Sequence, residues 1–263
     1  MQTLQPALGA RGYLLVLIAV CGVAGCGGGV DPETSLDFQE ANRAFAAADS
    51  TAGFLSVANR YQAILDRGVL SGAVLYNQGN AWMRAGETGR AIASYRQAYR
   101  YRPRDSHLAA NLRSALASTS VPPPATPLVG YLFFWQDWLS YPEKFTLSTV
   151  LLMVTLVAAT LVQFEGCRIA GRRCGALSGL LLILALFSTG WDWYRFERTE
   201  HGVVITDEVT ARKGNSENYE PAFTELLREG AEFQVLERRG DWLHIRLGGS
   251  GDAWLEDRDT VTY

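Results

Sequence analysis

The residues able to do covalent or acid–base chemistry are few, and their spacing does not serve it. The three histidines, His107, His201 and His244, are scattered, with no HExxH run and no paired Cys/His ligand set, so metal catalysis has no support. Gly248-Gly249-Ser250-Gly251-Asp252 has the outline of a nucleophile elbow. Asp252 stands where the closing glycine belongs, however, and the stretch joins two strand-like runs instead of opening a helix, which makes it a turn. The glycines from Gly25 to Gly29 fail the phosphate-loop patterns, and carboxylate pairs such as Glu256 and Asp257 read as exposed surface charges. Apart from Cys26, the segments that look globular hold no cysteine for a thiol nucleophile. The chain is therefore read as a non-enzyme with no cofactor and no metal. What remains is recognition: carboxamides that both donate and accept, guanidinium groups that pair with carboxylates, and aromatic faces. Asn77, Asn80, Arg84 and Asn111 carry the first two, Tyr219 and Trp254 the third.

The elements that must position these residues differ sharply along the 263-residue chain, whose near-neutral mean hydropathy averages over unlike segments. The formal charge is −3 and no Lys/Arg block is interleaved with aromatics, which excludes the footprint of a nucleic-acid binder. Four cysteines, Cys21, Cys26, Cys167 and Cys174, are too few and too badly placed to staple a secreted fold.

Residues 1–25 read as an export signal, with Arg11 before an apolar run, Tyr13 to Ala24, that is too short to span a bilayer comfortably. The run ends in Val23-Ala24-Gly25-Cys26 and a glycine tether, 26–36. That ending resembles a bacterial lipoprotein box, and the resemblance implies a diacylated Cys26; an ordinary signal peptide or an uncleaved anchor with a chance cysteine is the alternative. Two further apolar stretches, within 144–164 and 175–194, are each long enough to cross the hydrocarbon core, predicting a transmembrane hairpin. The loop between them, 165–174, holds Arg168, Arg172 and Arg173, while Trp135, Trp138, Trp191 and Trp193 flank the outer ends. Arginines favour the cytoplasmic side and aromatics mark an interface. The N-terminal export signal demands the same orientation, with both soluble segments outside the cytoplasm. Gly175, Ser178 and Gly179 allow close helix packing, either in hairpin closure or in dimerisation.

Between residues 37 and 118 the pattern is helical. Leu75-Tyr76-Asn77-Gln78-Gly79-Asn80-Ala81-Trp82, then Ala91, Tyr95, Ala98 and Pro103, resembles a tetratricopeptide repeat. Phe38, Asn42 and Phe45 echo this pattern upstream, with a slip around Asp49 to Gly53, and Ser106 to Ala117 gives a closing helix capped by Asp105 or Ser106. The resemblance implies a groove lined by first helices, where Asn77, Asn80 and Asn111 form a ladder able to hydrogen-bond a peptide backbone and Arg84 meets a carboxylate. The alternative is that the asparagines pair with neighbouring helices or face solvent. Arg90, Arg96, Arg100, Arg102 and Arg104 read as a solvated face or as one laid on anionic headgroups. A proline-rich linker and an interfacial aromatic stretch, 119–143, lead on to the hairpin.

From residue 201 to 263 short alternating runs separated by Gly and Asp turns predict a small all-β unit. Glu229-Gly230, Gly240-Asp241-Trp242 and the approach to Trp254 resemble a bacterial SH3 domain, with Ala253 in place of the usual glycine. Trp242 and Trp254 are either core or ligand platforms, and Tyr219 and Trp254 are the candidate shallow groove. The expected architecture is thus multidomain: an α-helical repeat module, a transmembrane helical hairpin and an SH3-like barrel. That order, with YNQGNAW and AIASYRQAYRYRP, resembles the BatE-type proteins of bacterial aerotolerance operons. The resemblance implies a scaffold or assembly adaptor in the inner membrane that associates with von Willebrand A-domain membrane proteins and, indirectly, a MoxR-type ATPase. The alternative is a sensor whose barrel binds peptidoglycan.

Overall fold

The computed structural model describes residues 32–119, 134–248 and 251–263; the expected signal sequence, Cys26 and the Val121-Pro122-Pro123-Pro124 linker lie outside them. Two compact units emerge: one contains the helical stretch Tyr141–Asp192, the other combines Pro32–Ser140 with Trp193–Tyr263.

The second unit begins with five helices: α1 (Pro32–Ala47), α2 (Thr51–Asp66), α3 (Gly72–Ala85), α4 (Thr88–Tyr101) and α5 (Ser106–Ser118). Residues 32–36, expected as tether, are the first turn of α1. Pro32 sits at its first position, where a fixed φ suits the helix and no N–H is needed. Ser50 and Ser71 cap α2 and α3 by accepting from Gly53 and Ala73 N–H. Asp105 is the cap of α5, accepting from His107 at 2.9 Å and Leu108 at 3.2 Å. Gly86, at φ +88°, ends α3 in the left-handed conformation that only glycine adopts cheaply. Consecutive helices pack around Tyr61, Leu75, Ile92, Tyr95 and Leu108, all fully buried. The close approach of α3 to α4 depends on Gly79: a Cβ there would lie 2.5 Å from the Tyr95 ring.

Among the described residues, the first unit holds two α-helices, α6 (Tyr141–Leu161) and α7 (Arg168–Trp193). Both are long and apolar enough to cross a membrane. At 1.5 Å per residue, 21 and 26 residues exceed the ~30 Å of a hydrocarbon core. Arg168, Arg172 and Arg173 belong to the first turns of α7 and not to a loop. The small and hydroxyl residues meet inside the hairpin. Thr155 donates to Ser178 at 2.9 Å, Ser148 and Thr189 hydroxyls lie 3.2 Å apart, and a Cβ on Gly171 would come within 3.0 Å of the Ala158 carbonyl. Of the two roles open for this stripe, the small residues of α7 serve hairpin closure.

The chain then returns to the second unit as seven strands: β1 (His201–Val204), β2 (Glu208–Val209), β3 (Leu227–Arg228), β4 (Glu232–Arg239), β5 (Trp242–Leu247), β6 (Gly251–Glu256) and β7 (Thr260–Thr262). Five make one antiparallel sheet ordered β6-β5-β4-β1-β7, and β2 pairs with β3. Gly240, at φ +58°, lies in the two-residue turn that brings Arg239 opposite Trp242. Leu247 at the end of β5 pairs with Gly251 at the start of β6. Val204, Phe233, Leu243, Ile245 and Leu255 fill the sheet's core.

The sheet docks on α4. Val203 of β1 joins the helical core, and a Cβ on Gly89 would lie 2.5 Å from the Val204 carbonyl. Arg96 grips Glu232 with two bonds, Nε to Oε1 at 2.6 Å and Nη2 to Oε2 at 2.8 Å. Arg100 pairs with Glu197 at 2.9 Å and lies over the Phe196 ring. The N-terminus of α4 has no cap from its own Glu87; Glu229 supplies it from 140 residues away, accepting from Gly89 N–H at 2.7 Å. Burial pushes the Glu229 carboxyl above its usual range, against the pull of that bond. The arginine face read as solvated or membrane-facing is therefore, at Arg96 and Arg100, an internal interface.

Candidate recognition surface

The sequence-predicted carboxamides occupy alternate helices, and the structure ties them together through buried tyrosines. Asn42 of α1 accepts from the Tyr61 hydroxyl of α2 at 2.7 Å and from the Asn77 amide of α3 at 2.9 Å. Two helices further on, Asn80 of α3 accepts from the Tyr95 hydroxyl of α4 at 2.8 Å and from the Asn111 amide of α5 at 2.8 Å. Asn111 also donates to the Tyr76 hydroxyl at 3.2 Å. Burial raises the Tyr61 phenol to about 12, with the Asn77 bond pulling the other way, and lifts Tyr95 further still. Both phenols therefore stay protonated and keep donating.

The ladder is thus part of the packing. Asn77, Asn80 and Asn111 are half-buried, and each has its first duty inside the array. The Oδ1 atoms of Asn42 and Asn80 each accept twice, and both N–H groups of Asn111 are donated. Among the described residues this leaves the Asn42 amide, the Asn77 oxygen, the Asn80 amide and the Asn111 oxygen without intramolecular partners. Donor and acceptor alternate in that series, as they do along a peptide backbone. Arg84, one turn beyond Asn80 on α3, is exposed, with its guanidinium 5.1 Å from the Phe54 ring centroid and, among the described residues, no carboxylate paired to it. Asn42 was missed as a member. The signal was present, since it precedes Asn77 by 35 residues, close to the interval between Asn77 and Asn111.

The β-sheet candidates fare differently. Trp254 is only 8% exposed. Its ring stacks on His244 at 4.7 Å and 11°, Arg239 lies 5.3 Å from its centroid, and its backbone pairs in both directions with Arg212. It is buried, so of the two readings open for it the core one holds, and its ring already has His244 and Arg239 against it. Tyr219 is 51% exposed and lies against Gly214, where a Cβ would meet its ring at 2.7 Å. An open polar depression of about 420 Å³ is lined by Asn215, Glu217, Asn218, Asp241, Trp242 and Glu256 among others, with neither Tyr219 nor Trp254 in its wall.

Cys167 and Cys174 are exposed free thiols, and no cluster of three or more His, Cys, Asp or Glu stands ready for a metal among the described residues. Comparison with protein-family models, with curated proteins and with solved structures returns no match.

Proposed function

We propose that this chain is a non-catalytic, membrane-anchored scaffold or assembly adaptor whose helical array captures an extended segment of a membrane partner outside the cytoplasm. The observation that carries the reading is the alternating series of unpartnered groups on Asn42, Asn77, Asn80 and Asn111. Fixed by the tyrosine bonds, these groups meet a strand's N–H and C=O without first losing rotamer freedom. Arg84 adds a site for an acidic side chain or carboxylate. The sheet docks on α4, which leaves the helices bearing the asparagines, α1, α3 and α5, to face a partner.

Chain connectivity supports the proposed topology. The helical array and the sheet flank the hairpin in sequence yet share one core through Val203, Arg96–Glu232 and Gly89–Glu229. Two parts of one core occupy one side of a membrane, so the chain crosses an even number of times between them. This supports both α6 and α7 as spans, with the Arg168, Arg172 and Arg173 end on the cytoplasmic side. The tetratricopeptide-like and SH3-like patterns, with the order of parts, carry the proposal to the BatE type, with von Willebrand A-domain membrane proteins as partners and a MoxR-type ATPase behind them.

A photo-crosslinking amino acid placed at Arg84, and separately at Tyr219, in the full chain in native membranes tests the reading. Adducts with a defined membrane protein from position 84 support it. Adducts from position 219 alone, or with cell-wall fragments, shift the function to the sheet and to the peptidoglycan-sensor alternative.

A further inference from the structure

Lys144 and Asp192 are 48 residues apart, one near the start of α6 and the other near the end of α7, and their side chains meet at 2.6 Å. They are 2% and 6% exposed. The Ser148/Thr189 and Thr155/Ser178 hydroxyl contacts and the close approach at Gly171, which also join these two helices, are neutral and small. The outer faces of both helices, by contrast, carry exposed Leu, Val, Ile and Phe throughout. A lone ammonium or carboxylate buried beside such a surface is strongly disfavoured, and a buried pair tolerates the loss of one member far worse than the loss of both. Hydroxyl contacts between membrane helices are individually weak, so they do not by themselves hold a hairpin shut.

We infer that Lys144 and Asp192 form a charge latch that closes the hairpin at its outer end and makes stable placement of α7 depend on α6. Lys144 brings a buried positive charge from α6 to the buried carboxylate of Asp192 on α7, so removing either one leaves the other buried beside one fewer countercharge.

The test uses the full chain in native membranes with Cys167 and Cys174 replaced by serine and a reporter pair, Thr155→Cys with Ser178→Cys, at the 2.9 Å contact. Oxidation joins the reporters when the hairpin is closed, and joined cysteines escape a mass-tagging maleimide. Lys144→Met and Asp192→Asn singly are expected to lower the joined fraction, or the amount of chain retained in the membrane, at least tenfold. The neutral double Lys144→Met/Asp192→Asn and the swapped double Lys144→Asp/Asp192→Lys are expected to recover most of it. Singles that join as fully as the parent overturn the latch. So do defective singles that neither double rescues, because the two residues then act separately.

Discussion

Arg96 and Glu232 carry the sharpest energetic consequence of the docking between helices and sheet. Their bidentate contact, at 2.6 and 2.8 Å, joins two groups whose side chains are 33% and 20% exposed. Hydrogen bonds to charged groups contribute about 1.5–3 kcal/mol each when sheltered, while exposed ion pairs contribute ~1 kcal/mol or less. Partial exposure places the pair between these limits, so Arg96→Ala or Glu232→Ala should cost roughly 2 kcal/mol of docking free energy. At ~1.4 kcal/mol per factor of ten, the β1 amides should then exchange hydrogen about thirtyfold faster. The assay is hydrogen exchange on the full chain in lipid nanodiscs, reading Val204, whose N–H donates to Ala231 across the sheet. A double-mutant cycle isolates the pair, and a coupling energy of about 1–2 kcal/mol is expected. Coupling within ~0.3 kcal/mol of zero, or faster exchange in β5 and β6 as large as in β1, would refute the argument that this pair fastens sheet to helices.

Three further outcomes follow from the same contacts. Gly79→Ala drives a methyl into the Tyr95 ring and should cost about 1–3 kcal/mol as overpacking, seen as a lower thermal midpoint. Glu229→Gln keeps an acceptor for Gly89 N–H while removing a carboxylate whose ionisation burial opposes. The raised carboxyl means that stability is lost as pH rises from the unfolded carboxylate range through the folded value, so the Gln variant should lose that dependence and be no less stable at neutral pH. His201 is held below its ordinary imidazole range by burial first, with Arg195 and Arg96 nearby in the same sense and Glu232 opposing. Its contribution is complete above about 6.5 and is lost as pH falls from there through the folded value. His201→Gln should flatten that limb of a pH–stability profile.

Elements announced by local periodicity and punctuation were legible from the residues: α3 and α4 from their small and aromatic spacing, both apolar helices from uninterrupted hydropathy, and the strands from alternation between turns. Gly79 against Tyr95 was foreseeable because a glycine beside bulky aromatics at helical spacing asks for close approach. Long-range pairings were not legible. Glu229 looks like any turn carboxylate until folding brings it to an uncapped helix 140 residues earlier, and Arg96 is indistinguishable by type from Arg90 or Arg104. The Lys144–Asp192 pair was not legible either, since a buried ion pair leaves no trace in either segment alone. Trp254 stood open between core and ligand platform because exposed and stacked tryptophans have the same sequence signature; its burial and its His244 and Arg239 contacts decide it.

Asn42 and Asn80 offer the most direct measurement of the central claim. Replacing both by Asp keeps the oxygen that accepts from Tyr61 and Asn77, or from Tyr95 and Asn111, but turns each outward donor into an acceptor. The array should retain its packing, checked by its thermal transition, while losing its match to a peptide backbone. Affinity purification from crosslinked native membranes at matched expression should recover defined membrane proteins with the parent chain and lose them with Asn42→Asp/Asn80→Asp. Equal recovery by both chains would contradict the account.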